Sequence, residues 1–205
     1  MKIVKILLFI NLSILFVAGC GTQDVKMQSQ RKTFSMDINP PANVSAPRNE
    51  LILKINDFSI ASQFDTTRMV IRDSDSRYTK DYYNGFIANP AILFAQQSQS
   101  WLSAAGICRA IVPASSILDA DYILEADIKS LYADFRDLNK PQAMVEIEFF
   151  LIKPDREKYN LIFKQTYSES ANMQNNTVEE LVNAYEIALE KIMLRLEKDL
   201  ASNLQ

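Results

Sequence analysis

Two residues of this 205-residue chain carry a thiol, Cys20 and Cys108, and the position of the first gives it a specific chemistry. Cys20 lies shortly after an apolar run, Ile6 to Val17, and Lys2 and Lys5 precede that run. A basic start followed by a short apolar stretch is typical of a signal peptide. Because a membrane-spanning helix needs about 20 apolar residues, the run is too short for a permanent anchor. We therefore predict a signal peptide over residues 1–19.

The four residues Val17-Ala18-Gly19-Cys20 match the bacterial lipobox, in which the cysteine thiol receives a diacylglyceryl group. Cleavage then makes Cys20 the first residue, and its amine usually receives a further acyl chain such as palmitate. Two or three acyl chains hold a protein on a membrane, since each buried methylene contributes about 0.8 kcal/mol. Because Gly21 rather than an aspartate follows, we expect an outer-membrane lipoprotein that faces the periplasm. The alternative is an ordinary secretory signal with an incidental cysteine.

Carboxylates form the second group that could do chemistry. Glu125, Asp127, Glu146 and Glu148 alternate with apolar residues on two segments that have strand character. Clustered carboxylates can bind Ca²⁺ or act as an acid and base pair. However, Lys129 and Lys164 lie in the same region, and charged residues are expected on the wet face of any sheet. We therefore predict a solvated charged face rather than a metal or catalytic site.

Composition excludes several classes of function. The chain contains no histidine, which removes Ser-His-Asp and Cys-His catalysis, and only four glycines, which leave no phosphate-binding loop. Removal of residues 1–19 takes two lysines and no acid, so 22 basic and 25 acidic residues become 20 and 25, a net charge of −5. We expect no enzyme, no cofactor, no metal and no nucleic-acid partner. Cys108 is predicted to be a small buried hydrophobic residue.

The segment Arg77 to Phe86 concentrates aromatic residues without a regular period. Its candidates for partner binding are Tyr78, Tyr82, Tyr83 and Phe86, and Arg68 in the preceding strand is counted with them. Aromatic residues in an irregular segment often anchor a partner. Equally, they can close one end of the core, and the sequence leaves both interpretations open.

The chain is predicted to contain one folded domain behind a tether. Residues 20–50 are polar and rich in proline, with one short edge strand near Thr33–Ile38, and residues 51–205 form a single domain. Leu51–Ala61 and Thr67–Arg72 read as two strands. Asn89 and Pro90 begin a helix that ends before Gly106. Its buried face comprises Phe94, Ser98, Trp101, Leu102 and Ala105.

Three strands and a long helix follow. Asp121–Phe135, Ala143–Lys153 and Tyr159–Tyr167 alternate apolar and polar residues and form a predicted antiparallel meander. Thr177 and Glu180 form a capping box for the final helix. Its apolar stripe comprises Leu181, Tyr185, Ala188, Leu189, Ile192, Leu196 and Leu200. We predict an α+β fold in which an antiparallel sheet is covered on one face by two helices, a two-layer sandwich.

The order of these segments resembles the ABC-type transport auxiliary lipoprotein family. The resemblance runs from Thr33 to Leu200 and rests on "FSMDINPP", "DFSIASQFDTTRMVIR", "NPAILFAQQSQSWLSAAGICRAIVP", "ADYILEADIKSLYADFRD" and "AMVEIEFFLI". It implies an outer-membrane lipoprotein without a catalytic site. It also implies partners, namely an MCE-domain substrate-binding protein with its permease and ATPase, in transport of lipids or hydrophobic solutes between membranes. Self-association into a homo-oligomeric ring is a further implication.

Three functions follow as hypotheses. The first is docking, in which acyl chains fix the domain to one membrane and its surface receives the MCE assembly from the other. The second is a free-standing carrier of lipids or hydrophobic ligands with its own pocket. The third is a hydrolase that uses the carboxylate cluster.

Overall fold

A computed structural model describes residues 31–40, 47–156 and 158–204. The predicted signal peptide, the lipobox and Cys20 lie outside the described residues. The strands are β1 (Lys32–Phe34), β2 (Ile52–Ile55), β3 (Ser59–Ile60), β4 (Arg68–Arg72), β5 (Tyr78–Phe86), β6 (Ala110–Pro113), β7 (Tyr122–Asp134), β8 (Gln142–Pro154) and β9 (Tyr159–Asn172). The helices are α1 (Pro90–Ala104) and α2 (Val178–Asn203).

The described strands form one mixed sheet organised around β7. On one side β7 pairs antiparallel with β8, which pairs antiparallel with β9, so the predicted meander is confirmed. On the other side β2, β3 and β4 follow one another along β7, and all three pair with it in parallel. Beyond them, β6 pairs with β2 in parallel, β5 with β4 antiparallel, and β1 with β5 in parallel. The prediction of a purely antiparallel sheet was therefore wrong.

The parallel strand pairs have a topological reason. A parallel pair needs a long crossover, and the chain between β4 and β7 supplies one that contains α1. The stretch predicted as one strand, Leu51–Ala61, is divided into β2 and β3, because the connection Asn56–Phe58 contains one residue more than β7 does over the same length. β5 and β6 were not predicted as strands.

Alternation along β7 and β8 gives the sheet one buried face. The buried residues include Leu124, Ala126 and Ile128 on β7 and Val145, Ile147, Phe149 and Leu151 on β8, and their neighbours are only half-buried. The alternation of buried and half-buried residues along β7 is interrupted at the register shift between Ile128 and Ser130, where Lys129 and Ser130 are both half-buried. The charged residues predicted for the other face do lie there.

The two helices cover this sheet. The side chain of Asn89 accepts a 2.9 Å hydrogen bond from the backbone N of Ala91 and caps α1, as predicted. Gly106, with φ 59°, follows the C-terminus of the helix. The predicted α1 face is buried, and Trp101 is only 3% exposed, with its indole Nε1 donating to Glu197 at 3.3 Å.

The final helix packs on β8 and β9 with the predicted stripe fully buried. Thr177 Oγ1 accepts from the backbone N of Glu180 at 3.3 Å, which is half of the predicted capping box. The carboxylate of Glu180 instead accepts from the backbone N of Gln174. Neither helix of the described ranges is both long and apolar enough to cross a bilayer.

The N-terminal segment differs from the predicted tether. Met36 is fully buried and Ile38 is 6% exposed, so residues of this segment belong to the core. The edge strand occurs as β1, slightly earlier than Thr33–Ile38. Arg48 lies at the start of the next described range, and its backbone N donates to the Gly106 carbonyl at 2.9 Å. The folded unit therefore includes residues from Arg31 onward.

Candidate docking surface

The aromatic segment is irregular because β5 contains a large bulge opposite β4. The chain takes five residue steps from Lys80 to Gly85, whereas β4 takes two from Arg68 to Val70. Inside the bulge, Asp81 Oδ1 accepts hydrogen bonds from the backbone N of Tyr83 at 2.8 Å and of Asn84 at 3.0 Å. This is a local turn built on an aspartate side chain, and it breaks the period of two that a regular strand shows.

The bulge brings two neighbouring tyrosines together on the surface. The rings of Tyr82 and Tyr83 lie 5.1 Å apart in an edge-to-face arrangement, 67% and 50% exposed respectively. The guanidinium of Arg68 lies 5.5 Å from the centroid of the Tyr82 ring, within cation–π range. We call Arg68, Tyr82 and Tyr83 the tyrosine patch. Three of the predicted candidates are therefore assembled in one exposed cluster.

Gly85 permits the close approach that ends the bulge. A Cβ at this position would lie 2.3 Å from the carbonyl oxygen of Thr67. That carbonyl accepts a 2.6 Å hydrogen bond from the backbone N of Phe86, which holds the two strands together. The guanidinium of Arg31, the residue before β1, donates a 3.0 Å hydrogen bond to Thr67 Oγ1. The patch is thus attached to a fixed backbone.

Tyr78 belongs to a different cluster. Its ring contacts Tyr132 at 5.5 Å and Phe64 at 6.1 Å, and the guanidinium of Arg72 lies 5.4 Å from its centroid. Arg72 also donates to the Tyr132 hydroxyl at 3.3 Å. With 42% of its surface exposed, Tyr78 is shared between surface and core.

Phe86 does not belong to the surface. It is 3% exposed, and its ring lies 5.9 Å from that of the fully buried Tyr185 on α2. The interpretation of Phe86 as a partner anchor is therefore corrected, because Phe86 follows the bulge and its side chain faces the core. The core-closing interpretation applies to Phe86, whereas partner binding by the tyrosine patch stays a prediction.

Two carboxylates of the charged face, Asp127 and Glu148, form ion pairs. Glu148 contacts Lys164 at 3.0 Å and Lys129 at 3.4 Å, and Lys129 also pairs with Asp127. The hydrogen bond from Lys129 lowers the pKa of Asp127, and that from Lys164 lowers the pKa of Glu148. A general acid at neutral pH needs a raised pKa, so this pair lacks that property. Among the described residues, no cluster has the composition of a metal site.

Cys108 is buried and unbonded to another cysteine, as predicted. Burial raises the pKa of its thiol to about 11, and the charge of Asp121 adds to the effect. Since the thiolate is the reactive form, this cysteine has the properties of an inert core residue.

A concave surface that the sequence analysis missed lies beside α1. A groove of about 670 Å³ separates the β2–β3 connection from the first turns of α1, and its walls include Asp57, Phe58, Asp65, Ile92 and Pro113. A second pocket of about 460 Å³ adjoins it. The one signal in the sequence was the polar pair Asn56-Asp57 inside an otherwise strand-like run.

Comparisons with known proteins identify the fold. No family model and no curated protein matches the chain. A crystal structure of a Xanthomonas campestris protein described as DUF330 matches with a TM-score of 0.71 at 16% identity, covering 81% of this chain and 92% of that one. An uncharacterised protein matches with a TM-score of 0.58 at 14% identity, covering 82% and 100%. This α+β chain therefore shares the fold of the DUF330 structure.

A lipoprotein from Neisseria meningitidis also matches, with a TM-score of 0.39 at 10% identity, covering 72% of this chain and 99% of that one. That likeness is too low to support an argument. At these identities the comparisons establish the fold alone.

Proposed function

We propose that this chain is a lipid-anchored envelope protein that acts as the docking component of an ABC transport system with an MCE-domain subunit. The system would move lipids or hydrophobic solutes between the inner and outer membranes. The observation that carries the proposal is the tyrosine patch, in which two exposed aromatic rings are held by a fixed turn. The resemblance of the sequence to the auxiliary lipoprotein family supports the identity of the partner.

Physical properties of the patch suit an interface. Tyrosine and arginine are enriched at the energetic centres of protein interfaces, where a central anchor can carry about 2 kcal/mol or more. The hydrogen bonds from Tyr83 and Asn84 to Asp81 fix the backbone before any partner arrives. Because a preorganised surface loses less conformational entropy on binding, more of the contact energy remains as affinity.

Membrane attachment rests on Cys20 and its lipobox. Acyl chains on Cys20 would hold the described part of the chain, which follows from Arg31 onward, at one membrane. Outer-membrane attachment with the domain in the periplasm would let the patch meet an assembly that extends from the inner membrane. Homo-oligomerisation would present several patches at once and increase avidity.

The test is co-purification of the MCE-domain subunit of the same system with the full lipidated chain. Tyr82→Ser together with Tyr83→Ser should abolish co-purification while the melting temperature stays at the wild-type value. The matched control is Tyr159→Ser with Leu161→Ser, which removes apolar side chains of similar exposure, 74% and 58%, from β9. Undiminished binding by the tyrosine variant would show that the patch is not the docking surface.

A free-standing carrier of lipids or hydrophobic ligands is the second candidate, and the apolar wall of the groove beside α1 favours it. Native mass spectrometry of the chain after gentle extraction separates the two. A stoichiometric lipid that stays bound in the tyrosine-patch variant would favour the carrier.

A further inference from the structure

The groove beside α1 and the pocket that adjoins it form one open trough. The two share Asn56, Asp57, Ser59 and Ala114, so the β2–β3 connection lies between them and both are open to solvent. We call the combined surface the Asp57 trough. It is separate from the tyrosine patch, since neither pocket is lined by Arg68, Tyr82 or Tyr83.

The middle of the trough is held by the central strand. Ile55 pairs with Leu124 and Ser59 with Asp127, so the connection contains one residue more than β7 does over the same length. Asn56 donates its backbone N to the carbonyl of Leu124 at 3.0 Å and its side-chain amide to Glu125 at 2.9 Å. The extra residue therefore belongs to a fixed bulge that exposes Asp57.

Apolar side chains contribute to the groove from two sides. Phe58 is 7% exposed, and its ring packs edge-on against Phe149 at 5.8 Å, which fixes it in place. Opposite, Ile92 in the first turns of α1 remains 53% exposed. A half-exposed isoleucine facing a groove offers area for another apolar group.

The charged groups of the trough all have one sign. Asp57 and Asp65 line the groove, and Glu125 and Asp127 line the adjoining pocket, whereas no lysine or arginine of the described residues lines either. Asp127 is paired with Lys129, but Asp57, Asp65 and Glu125 form no ion pair with any described base. Within the described part of the chain, Asp65 and Glu125 accept hydrogen bonds only from the neutral amides of Asn89 and Asn56. The electrostatic complement of the trough is therefore a cation.

We propose that the Asp57 trough binds an extended segment of a partner protein that carries lysine or arginine next to apolar side chains. Carboxylates occur at intervals from Asp65 through Asp57 to Glu125, which suits a chain that presents more than one cation. A single-headed amphiphile would satisfy one of them and leave the others uncompensated. Alternate side chains of an extended peptide point to opposite sides, so lysine or arginine can face the carboxylates while apolar side chains face Ile92.

The experiment uses the mature chain with Cys20→Ser, so that no detergent is needed. The probe is a fluorescein-labelled pentapeptide of alternating lysine and leucine, measured by fluorescence polarisation. Asp57→Asn with Asp65→Asn, which preserves the shape of both side chains, should weaken binding at least tenfold. Ile92→Ser should weaken it at least threefold. Both variants are checked for an unchanged melting temperature.

Matched controls separate this site from general attraction to an acidic protein. Glu50→Gln with Asp155→Asn removes the same charge away from the trough, and Leu194→Ser removes an apolar residue of α2 that is 57% exposed. Both should bind the probe as the wild type does. Tyr82→Ser with Tyr83→Ser should also bind normally, so failure here and failure of the docking proposal are distinguishable.

Several outcomes would overturn the proposal. One is equal weakening by the trough variant and its charge control. Another is equal affinity for a pentapeptide with serine in place of leucine, which would reveal charge attraction alone. A third is displacement of the probe by submicellar dodecyltrimethylammonium at equal affinity, which would assign the trough to small amphiphiles instead. If the trough variant unfolds, Asp57→Asn alone replaces it, with the same expectation of weakened binding.

Discussion

The carboxylate of Glu186 on α2 accepts a 2.9 Å hydrogen bond from the backbone N of Asp37. Two residues on, the backbone N of Asn39 donates to Glu190 at 3.0 Å, and between them that of Ile38 donates to Gln97 of α1 at 3.1 Å. Side chains of both helices thus take the place of a neighbouring strand for this segment. The arrangement secures a segment that the sequence assigned to a tether.

Loss of these acceptors should destabilise the fold. Glu186→Ala with Glu190→Ala leaves two backbone N–H groups without their protein partners, and we expect a loss of about 1–3 kcal/mol in the free energy of unfolding. Urea denaturation followed by circular dichroism measures it. Lys198→Ala, elsewhere on α2, should change the midpoint little. Equal stability of the double variant would mean that the segment does not depend on α2.

Two buried tyrosines should respond in opposite directions to loss of their hydroxyl. The Tyr185 hydroxyl has no hydrogen-bond partner among the described residues, so Tyr185→Phe should raise stability by about 1 kcal/mol. The Tyr167 hydroxyl donates to Asp199 at 2.6 Å, so Tyr167→Phe should lower stability by about 1–3 kcal/mol. Thermal unfolding compares the two, and a loss with Tyr185→Phe would indicate a partner for its hydroxyl.

Gly85→Ala tests the close approach of β4 and β5. The added methyl would meet the Thr67 carbonyl at 2.3 Å, and relief of that contact must move the strand that carries the tyrosine patch. We expect a loss of about 1–3 kcal/mol by the overpacking mechanism, together with weaker docking. Lys80→Ala on the same strand is the control for stability. Normal stability and docking in Gly85→Ala would show that the patch tolerates this shift.

The acid dependence of stability has a definite sign. Asp127 and Glu148 have pKa values below their ordinary 3.8 and 4.5, so their ion pairs stabilise the fold above this range and the contribution is lost as pH falls through it. Between pH 6 and pH 3, the urea midpoint of the variant Asp127→Asn with Glu148→Gln should therefore fall less than that of the wild type. A fall as steep as that of the wild type would remove these pairs as its cause.

Glu186 should contribute a pH dependence of stability of the opposite sign, and it therefore serves as a control. Burial raises its pKa above the ordinary 4.5, with the charges of Asp37 and Glu190 adding to the effect. Its ionisation therefore costs stability as pH rises through the raised value. The stability of Glu186→Gln relative to the wild type should therefore be greater at pH 7 than at pH 4. The substitution keeps an acceptor oxygen for the backbone N of Asp37. The midpoint difference at the two pH values decides it.

Cys20→Ser tests membrane attachment. Without the thiol no diacylglyceryl group can be added, so metabolic labelling with a radioactive fatty acid should disappear and the chain should remain as precursor or be released. Fractionation of the membranes and the mobility of the chain measure both effects. Cys108→Ser serves as the control for labelling, which it should leave intact. Membrane retention of Cys20→Ser at the mature size would contradict the lipoprotein assignment.

Local patterns determined those elements whose form depends on neighbours in sequence. Alternation in β7 and β8 gave the buried face, because side chains on a strand point alternately to opposite sides. Asn89 and Thr177 marked the helix starts, because a cap bonds to a backbone N two or three residues away. The lipobox at Cys20 is likewise a local motif, and it remains a prediction outside the described residues.

Tertiary structure decided what depends on distant partners. Local sequence patterns did not predict that β2, β3 and β4 pair in parallel with β7. A strand's own sequence does not specify which neighbour it joins or in which direction. The bulge after Asp81 separates buried Phe86 from exposed Tyr82, although both belong to one aromatic run. Burial of Met36 likewise follows from its position against the assembled core, since its own neighbours in sequence are polar.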